Sequence, residues 1–138
     1  MRTLDVRITK KRLSLYRDLK EKQQRLISDL EIKRQIMLDS QNHAIQYDRT
    51  PGGGGSHGNV LLSMIDEQSA ITARIDAIRR ELNYLDKVLD LLPDWCKKRF
   101  LDGVPAGSIA NEMRISRQSL DQRLNSALRD IDERDLVQ

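Results

Sequence analysis

A run of polar side chains near the start of a C-terminal amphipathic segment has residue types and spacing suited to sequence-specific binding. The candidates for contacts with DNA bases are Arg117, Gln118, Ser119, Asp121, Gln122 and Arg123. Arginine and glutamine form paired hydrogen bonds with the edges of guanine and adenine in the major groove. One helix start would present these side chains together. The pattern therefore predicts contact with double-stranded DNA.

The residues around this run fit two helices joined by a tight turn. Ile109, Ala110 and Met113 are expected to line the inside of the first helix, and the small Ala110 allows close crossing. Ile115 fills the turn, and Ser116 is the predicted N-cap of the second helix. The core-facing residues of that helix are Leu120, Leu124, Ala127 and Leu128. The arrangement predicts a helix-turn-helix.

Charged and hydroxyl side chains that flank these helices are the candidates for contacts with DNA phosphates. They are Lys97, Lys98, Arg99, Arg114 and Ser116. A second basic cluster, Arg7–Arg12, lies near the N-terminus and suits phosphates or an acidic partner. For both clusters the alternative interpretation is a solvated helix face.

No group of residues has the spacing typical of a catalytic or metal site. His43 and His57 are isolated, and Cys96 has no histidine in a recognisable arrangement with it. The glycine run is not followed by the Lys-Ser or Lys-Thr pair of a phosphate-binding loop. We therefore predict no enzyme, no metal and no cofactor.

The composition favours an all-α protein. Of 138 residues, 38% are hydrophobic and 33% charged, but there is only one Phe and one Trp. Long helices that bury narrow aliphatic seams fit this balance better than a sandwich or a barrel. The single cysteine excludes an intramolecular disulfide, and no stretch approaches the length of a membrane span. A cytoplasmic location is expected.

The net charge of +3 is unevenly distributed along the chain. Residues 1–50 carry twelve Lys and Arg against seven Asp and Glu, whereas residues 93–138 carry eight of each. The basic excess is therefore N-terminal, and the predicted helix-turn-helix is electrically balanced. Phosphate neutralisation contributes much of the affinity of DNA-binding proteins, so this balance matters for the DNA hypothesis.

The N-terminal part is predicted to be one helix followed by a linker. Residues 4–45 contain no Gly or Pro, and the helix is expected to be frayed or broken near Asp39–Asn42. Residues 50–59 contain four consecutive glycines and are predicted to be a flexible linker. Its Gly-Gly-Gly-Gly-Ser run is found in engineered linkers as well as in natural loops.

The strongest periodic signal is a heptad seam in the second half of the chain. Its apolar members are Leu61, Met64, Ile71, Ile75, Ile78, Leu82, Leu85, Leu89 and Leu92. The alternating spacing of three and four is typical of a coiled coil, and Gln68 is its one polar break. The partner is either the first helix folded back antiparallel or the same helix of a second chain. Because one narrow hairpin buries little area, a homodimer is expected.

Four segments follow from these patterns. They are an N-terminal basic helix (1–49), a linker (50–59), a heptad helix (60–92) and a helix-turn-helix domain (93–138). Pro93 ends the heptad helix, and a short helix from Asp94 to Leu101 precedes a break at Asp102–Pro105. The expected fold is a long helical or coiled-coil hairpin followed by a three-helix helix-turn-helix domain.

The segment Leu92–Leu128 resembles the region-four helix-turn-helix of bacterial sigma factors. The matching residues are Ser108, Ile109, Ala110, Ile115, Ser116, Arg117, Leu120, Ala127 and Leu128. The whole chain is similar to phage-encoded late transcriptional regulators of the ArpU/RinA type. Arg114 stands where these families usually have Gly. Arg123 stands where they have an apolar residue that Leu124 replaces after a small rotation.

These observations lead to a main hypothesis and two alternatives. The resemblance implies a phage or prophage transcription regulator that binds DNA as a dimer. The balanced charge and the absent turn glycine favour instead a protein-interaction module for RNA polymerase, a repressor or a host factor. A purely structural coiled-coil component would explain the seam, but not the ordered motif after Pro93.

Overall fold

The computed structural model describes residues 3–47 and 54–136, with the side chains of residues 3–41 and 59–136. The α-helices are α1 (Val6–Ser14), α2 (Tyr16–Tyr47), α3 (Gly54–Asp90), α4 (Asp94–Phe100), α5 (Ala106–Met113) and α6 (Arg117–Arg129). A short 3₁₀ helix, Glu133–Leu136, follows. The described residues form no strand, which confirms the all-α class. Within them, no helix has a segment long and apolar enough to cross a membrane.

The predicted N-terminal helix is divided in two at Leu15. Asp5 caps α1, because its side chain accepts a hydrogen bond of 3.1 Å from the Ile8 amide. Near the end of α1, Ser14 Oγ donates to the Lys11 carbonyl at 2.6 Å. A hydroxyl bonded to the preceding turn bends helices, which gives a local cause for the division.

The break predicted near Asp39–Asn42 was wrong, because α2 continues without interruption to Tyr47. The segment contains no Gly or Pro, so nothing interrupts its backbone hydrogen bonds.

The predicted linker was wrong for residues 54–59, which are the first residues of α3. The first residues of a helix contribute their backbone carbonyls, which accept hydrogen bonds from the amides of the next turn, and glycine provides this carbonyl as well as any other residue. Helix α3 can therefore begin among glycines, although each helical Gly costs about 1 kcal/mol relative to Ala. The rest of the predicted linker, residues 50–53, lies outside the described residues.

The contacts divide the chain into two compact units. Unit 1 is Met1–Lys20 with Arg80–Gln138, and unit 2 is Glu21–Arg79. Unit 1 therefore joins residues from the first, third and fourth of the segments that the sequence defines. The physical reason is that residues distant in sequence pack together in unit 1, which sequence periodicity cannot reveal.

Unit 2 is an antiparallel pair formed by parts of α2 and α3. Leu30 packs with Ile71 and Ile75, and all three are buried. Gln68 Nε2, the polar break of the seam, donates to the sulfur of Met37 at 3.1 Å. In this stretch the seam is therefore covered by α2 of the same chain.

Unit 1 combines the N-terminal residues with the C-terminal helices. Helix α1 contacts α6, α5 contacts α6, and α4 contacts α5. The most deeply buried side chains are Leu13, Leu85, Val88, Leu89, Cys96, Ile109, Leu120, Leu124 and Leu128. Leu13 comes from α1, so the N-terminal segment is part of the same core as the C-terminal helices.

Two polar contacts fix the N-terminal residues beside α3 within unit 1. Arg12 donates two hydrogen bonds to Glu81, of 2.6 and 2.7 Å, and its guanidinium lies 4.1 Å from the ring centre of Tyr84. Tyr16 donates to Asp86 Oδ1 at 2.6 Å. Burial is the main cause that raises the pKa of the Tyr16 phenol, and the hydrogen bond to Asp86 raises it further. Arg12, a member of the N-terminal basic cluster, is therefore engaged in the fold.

Candidate nucleic-acid interface

The turn between α5 and α6 is formed around a left-handed residue. Arg114 has φ 58° and ψ 40°. The Arg114 amide donates to the Asn111 carbonyl at 3.2 Å, and the Ile115 amide donates to the Ala110 carbonyl at 3.0 Å. These two bonds form a Schellman motif, which usually has glycine at the left-handed position. Arg114 therefore adopts the conformation for which the resembling families use Gly.

Ser116 caps α6, as predicted. Its Oγ accepts a hydrogen bond of 3.1 Å from the Ser119 amide and lies 3.0 Å from Ser119 Oγ, to which it donates. Ser119 is half-buried. The hydroxyls of Ser116 and Ser119 are thus engaged with each other, which limits Ser116 as a phosphate contact and Ser119 as a base contact.

Helices α5 and α6 share a small hydrophobic core. Its buried members are Ala106, Ile109, Ala110 and Leu120, with Trp95, Val104, Met113 and Ile115 packed against them. This confirms Ile109, Ala110 and Met113 as the inner residues of α5. On α6, Leu120, Leu124 and Leu128 are buried as predicted, whereas Ala127 is half-buried. Ile115 fills the turn, as its position in the sequence predicted.

The neighbours Arg123 and Leu124 differ in burial. Leu124 and Leu128 are fully buried, whereas Arg123 is exposed. Leu124 is therefore the core-facing residue of these two neighbours.

Two of the predicted base-contacting residues lie on the outward side of α6. Gln118 and Gln122 are exposed, and each is two residues from the buried Leu120. Two residues correspond to about 200° of rotation around a helix, so both side chains point away from the core. Arg123 is also exposed, on the flank of the helix.

Arg117 faces another direction. It is seven residues before Leu124, which is nearly two helical turns and places it on the core side of α6. Because it lies at the start of the helix it stays exposed, and it lines a cleft with Arg99 and Phe100. The structure therefore separates Arg117 from Gln118 and Gln122, although the three residues are near neighbours in sequence.

The basic candidates on α4 are paired with carboxylates. The pairs are Lys97 with Asp90 at 3.7 Å, Lys98 with Glu112 at 3.8 Å, and Arg99 with Asp121 at 3.5 Å. Asp121 is therefore an ion-pair partner in this structure as well as a candidate base contact. The pairs of Lys97 and Lys98 lie at the surface, where such pairs contribute only about 0–1 kcal/mol, so a phosphate can replace the carboxylate. Arg99 differs, because its Nη1 is buried.

The heptad seam is largely buried within the single chain. Its buried members are Ile71, Ile75 and Ile78 in unit 2 and Leu82, Leu85, Leu89 and Leu92 in unit 1. Only Leu61 and Met64 are half-buried. Of the two partners that the sequence left open, the same chain covers these side chains at residues 71–92, and the homodimer stays a prediction.

Cys96 is a core residue. It is fully buried, and its burial raises the pKa of the thiol to about 12. Within the described residues, no group of three His, Cys, Asp or Glu side chains is placed to hold a metal ion. The side chains of His43 and His57 lie outside the described part of the chain.

The sequence analysis missed the contribution of the N-terminal segment to this region. Leu13, Ser14 and Arg17 line the same cleft as Arg99 and Arg117. The available signal was the pair Leu13 and Tyr16, whose spacing of three marks a core-facing helix side. That spacing does not identify the partner surface.

Replacing Arg114 with glycine is expected to raise the free energy of unfolding by about 0.5–1 kcal/mol. A left-handed conformation costs a non-glycine residue about 1–2 kcal/mol, and part of that gain is lost because glycine is more flexible in the unfolded chain. Urea denaturation measures the change. The control is Arg123→Gly within α6, which should lower stability by about 1 kcal/mol. Equal destabilisation by both glycines would contradict the left-handed turn.

No protein-family model matches this chain, and no match was found among curated proteins or solved structures. The function must therefore be inferred from the geometry of α5, of α6 and of the turn between them.

Proposed function

We propose that the chain is a DNA-binding transcription regulator of the type that its sequence resembles. In this proposal α4, α5 and α6 form a three-helix helix-turn-helix domain, with α6 as the recognition helix. Helices α2 and α3 form the helical hairpin that accompanies it. The same proposal includes a relationship of the chain to the ArpU/RinA-type regulators and of its C-terminal helices to region four of sigma factors.

The observation that carries the proposal is the closed turn between α5 and α6. The Schellman bonds at Arg114 and Ile115 and the Ser116 cap set the angle at which α6 leaves α5. The shared core then holds that angle. A fixed crossing of this kind presents the first turns of the second helix to a major groove.

The side chains presented by α6 support the same proposal. Gln118 and Gln122 are exposed one turn apart, and glutamine forms bidentate bonds with adenine. Arg114 and Arg123 are exposed beside them, and neither forms an ion pair among the described residues. The recognition surface therefore has hydrogen-bonding groups for bases together with positive charge for phosphates.

The test is selection from a random duplex pool at near-physiological salt, followed by fluorescence anisotropy on the enriched sequence. The double variant Gln118→Ala/Gln122→Ala is expected to lose about 1–3 kcal/mol of discrimination for each base pair contacted. Ser126→Ala is the control, because Ser126 is exposed one turn farther along α6. If the double glutamine variant binds the enriched sequence as tightly and as selectively as the Ser126→Ala control does, the assignment of α6 as the recognition helix is contradicted.

The compensated charges of α4 favour a second candidate, a protein-interaction module. Binding that occurs only at low salt and enriches no sequence would be generic phosphate attraction and would favour this alternative. If a sequence is enriched, the spacing of its half-sites reports whether two chains bind together. A single unpaired site would exclude the dimer from the proposal.

A further inference from the structure

A cleft in unit 1 combines an apolar floor with three arginines. Its volume is about 360 Å³, and it lies among the end of α1, the start of α2, α4 and the starts of α5 and α6. Leu13, Phe100 and Ala106 supply apolar surface, and the basic residues are Arg17, Arg99 and Arg117. No Asp or Glu is among the lining residues.

The positive charge of the cleft is only partly compensated. Among the described residues, Arg99 has one carboxylate nearby, Asp121 at 3.5 Å, and Arg17 and Arg117 form no ion pair. Arg99 Nη1 is buried and makes no hydrogen bond within that part of the chain. This nitrogen is the one that lies 3.5 Å from Asp121 Oδ1, so its charge is already paired although no hydrogen bond is formed. The exposed Arg17 and Arg117 are the two arginines of the cleft that an anion can reach directly.

Gly103 holds Arg17 at the cleft. Gly103 lies in the loop between α4 and α5, at φ 73°. A Cβ atom built there would overlap Nη1 of Arg17 and lie 2.5 Å from its Cζ. The guanidinium of Arg17 therefore lies against Gly103, and a side chain at position 103 would displace this flexible end of Arg17 from its present place.

The start of α5 adds hydrogen-bond donors to the same cleft. Pro105 precedes α5 and provides no side-chain cap, and the first amides bonded to its carbonyl are those of Ser108 and Ile109. The amides of Ala106 and Gly107 are the donors that a helix start leaves unused. Of these two residues, Ala106 lines the cleft and Gly107 does not, so the contribution of α5 to the cleft is limited to its first residue.

We propose that this cleft binds a phosphate group. Guanidinium groups match phosphate oxygens with paired hydrogen bonds, and three of them without a lining carboxylate select a dianion over a single charge. The cleft volume suits a small molecule, and Phe100 offers a surface for a ring attached to the phosphate. The phosphate belongs either to a DNA backbone or to a free phosphorylated small molecule. Only the first source rests on the proposed function.

Arg117 then has a role different from the one that its sequence position predicts. It binds the phosphate from the core side of α6, while Gln118 and Gln122 remain on the outward side. Loss of Arg117 is therefore expected to weaken phosphate binding, without changing which base sequence is preferred.

The first experiment titrates the full chain with inorganic phosphate and pyrophosphate at constant ionic strength, with chloride as the reference anion. The fluorescence of Trp95, the only tryptophan, reports binding because Trp95 packs on the cluster that contains Ala106. Calorimetry provides a second readout. Saturable binding of phosphate is expected, and a response no stronger than that to chloride would overturn the proposal.

Variants locate the binding. Arg17→Gln and Arg117→Gln should each weaken phosphate binding about tenfold, since each removes charged hydrogen bonds. Arg129→Gln is the matched control, because Arg129 is exposed on α6 and does not line the cleft. Gly103→Ala, with its helicity checked, should weaken binding as Arg17→Gln does. Equal binding by Arg17→Gln, Arg117→Gln and the control would overturn the site.

Competition with duplex DNA and with adenosine monophosphate separates the two sources. If duplex DNA displaces phosphate, the backbone fills the cleft. If adenosine monophosphate binds more tightly than phosphate and DNA does not displace it, the ligand is a free phosphorylated molecule. If the chain binds phosphate but selects no DNA sequence from the random pool, the phosphate site in the cleft is supported and the proposed function is contradicted.

Discussion

Leu13→Ala is expected to lower the free energy of unfolding of unit 1 by about 2–5 kcal/mol. Leu13 is 1% exposed, and α1 contacts α6. Truncating a buried leucine removes apolar contact and leaves a cavity that the surrounding helices fill only partly. Urea denaturation followed by Trp95 fluorescence measures the loss, because Trp95 belongs to unit 1. A change in α1 should therefore be detected in the C-terminal helices.

Leu15→Ala is the matched control for this prediction. Leu15 is 46% exposed and lies two residues away. Its truncation should cost less than about 1 kcal/mol. If Leu13→Ala and Leu15→Ala have the same small effect on the Trp95 transition, the N-terminal helix is not part of the C-terminal core, and the division into units is wrong.

Leu124→Ala is expected to cost a similar amount, about 2–5 kcal/mol. Leu124 is fully buried on α6, one residue after the exposed Arg123. Arg123→Ala should change stability by no more than about 0.5 kcal/mol, because Arg123 is exposed. The same urea denaturation, with far-UV circular dichroism as a second signal, compares the two neighbours.

This pair of variants tests the rotation of α6 directly. A larger loss at Arg123 than at Leu124 would mean that α6 is turned by about 100°. Gln118 and Gln122 would then no longer point outward together. The stability measurement thus checks, without DNA, the geometry on which the proposed base contacts depend.

Features that depend on near neighbours in the chain could be predicted from the sequence. The all-α class, the start of α4 after Pro93, the Ser116 cap and the buried side of α5 and α6 all belong to this group. Helix formation and capping depend on residues within about four positions of one another. Periodicity also identified the heptad seam, since it recurs along a single helix.

The same local patterns gave the wrong start for one element, α3. The glycines from Gly54 onward were assigned to a linker, yet α3 begins there. Propensity is a weak preference that the rest of a long helix overrides. The residue at position 114 is a related case, because the Schellman bonds impose a left-handed conformation on an arginine.

Only the tertiary structure decided which surfaces meet. Arg12 pairs with Glu81, Tyr16 with Asp86 and Leu30 with Ile71, and each pair is separated by many residues in sequence. A heptad pattern specifies an apolar stripe but not the chain that covers it, so sequence alone left the homodimer open.

The candidate site divides in the same way. The sequence by itself determined that Arg117, Gln118 and Gln122 begin one helix after a capped turn, because these are local relations. The tertiary structure decided that Gln118 and Gln122 face outward, while Arg117 faces a cleft shared with Arg17 and Arg99. Contacts between distant segments depend on how complete helices pack, and no spacing within one helix encodes them.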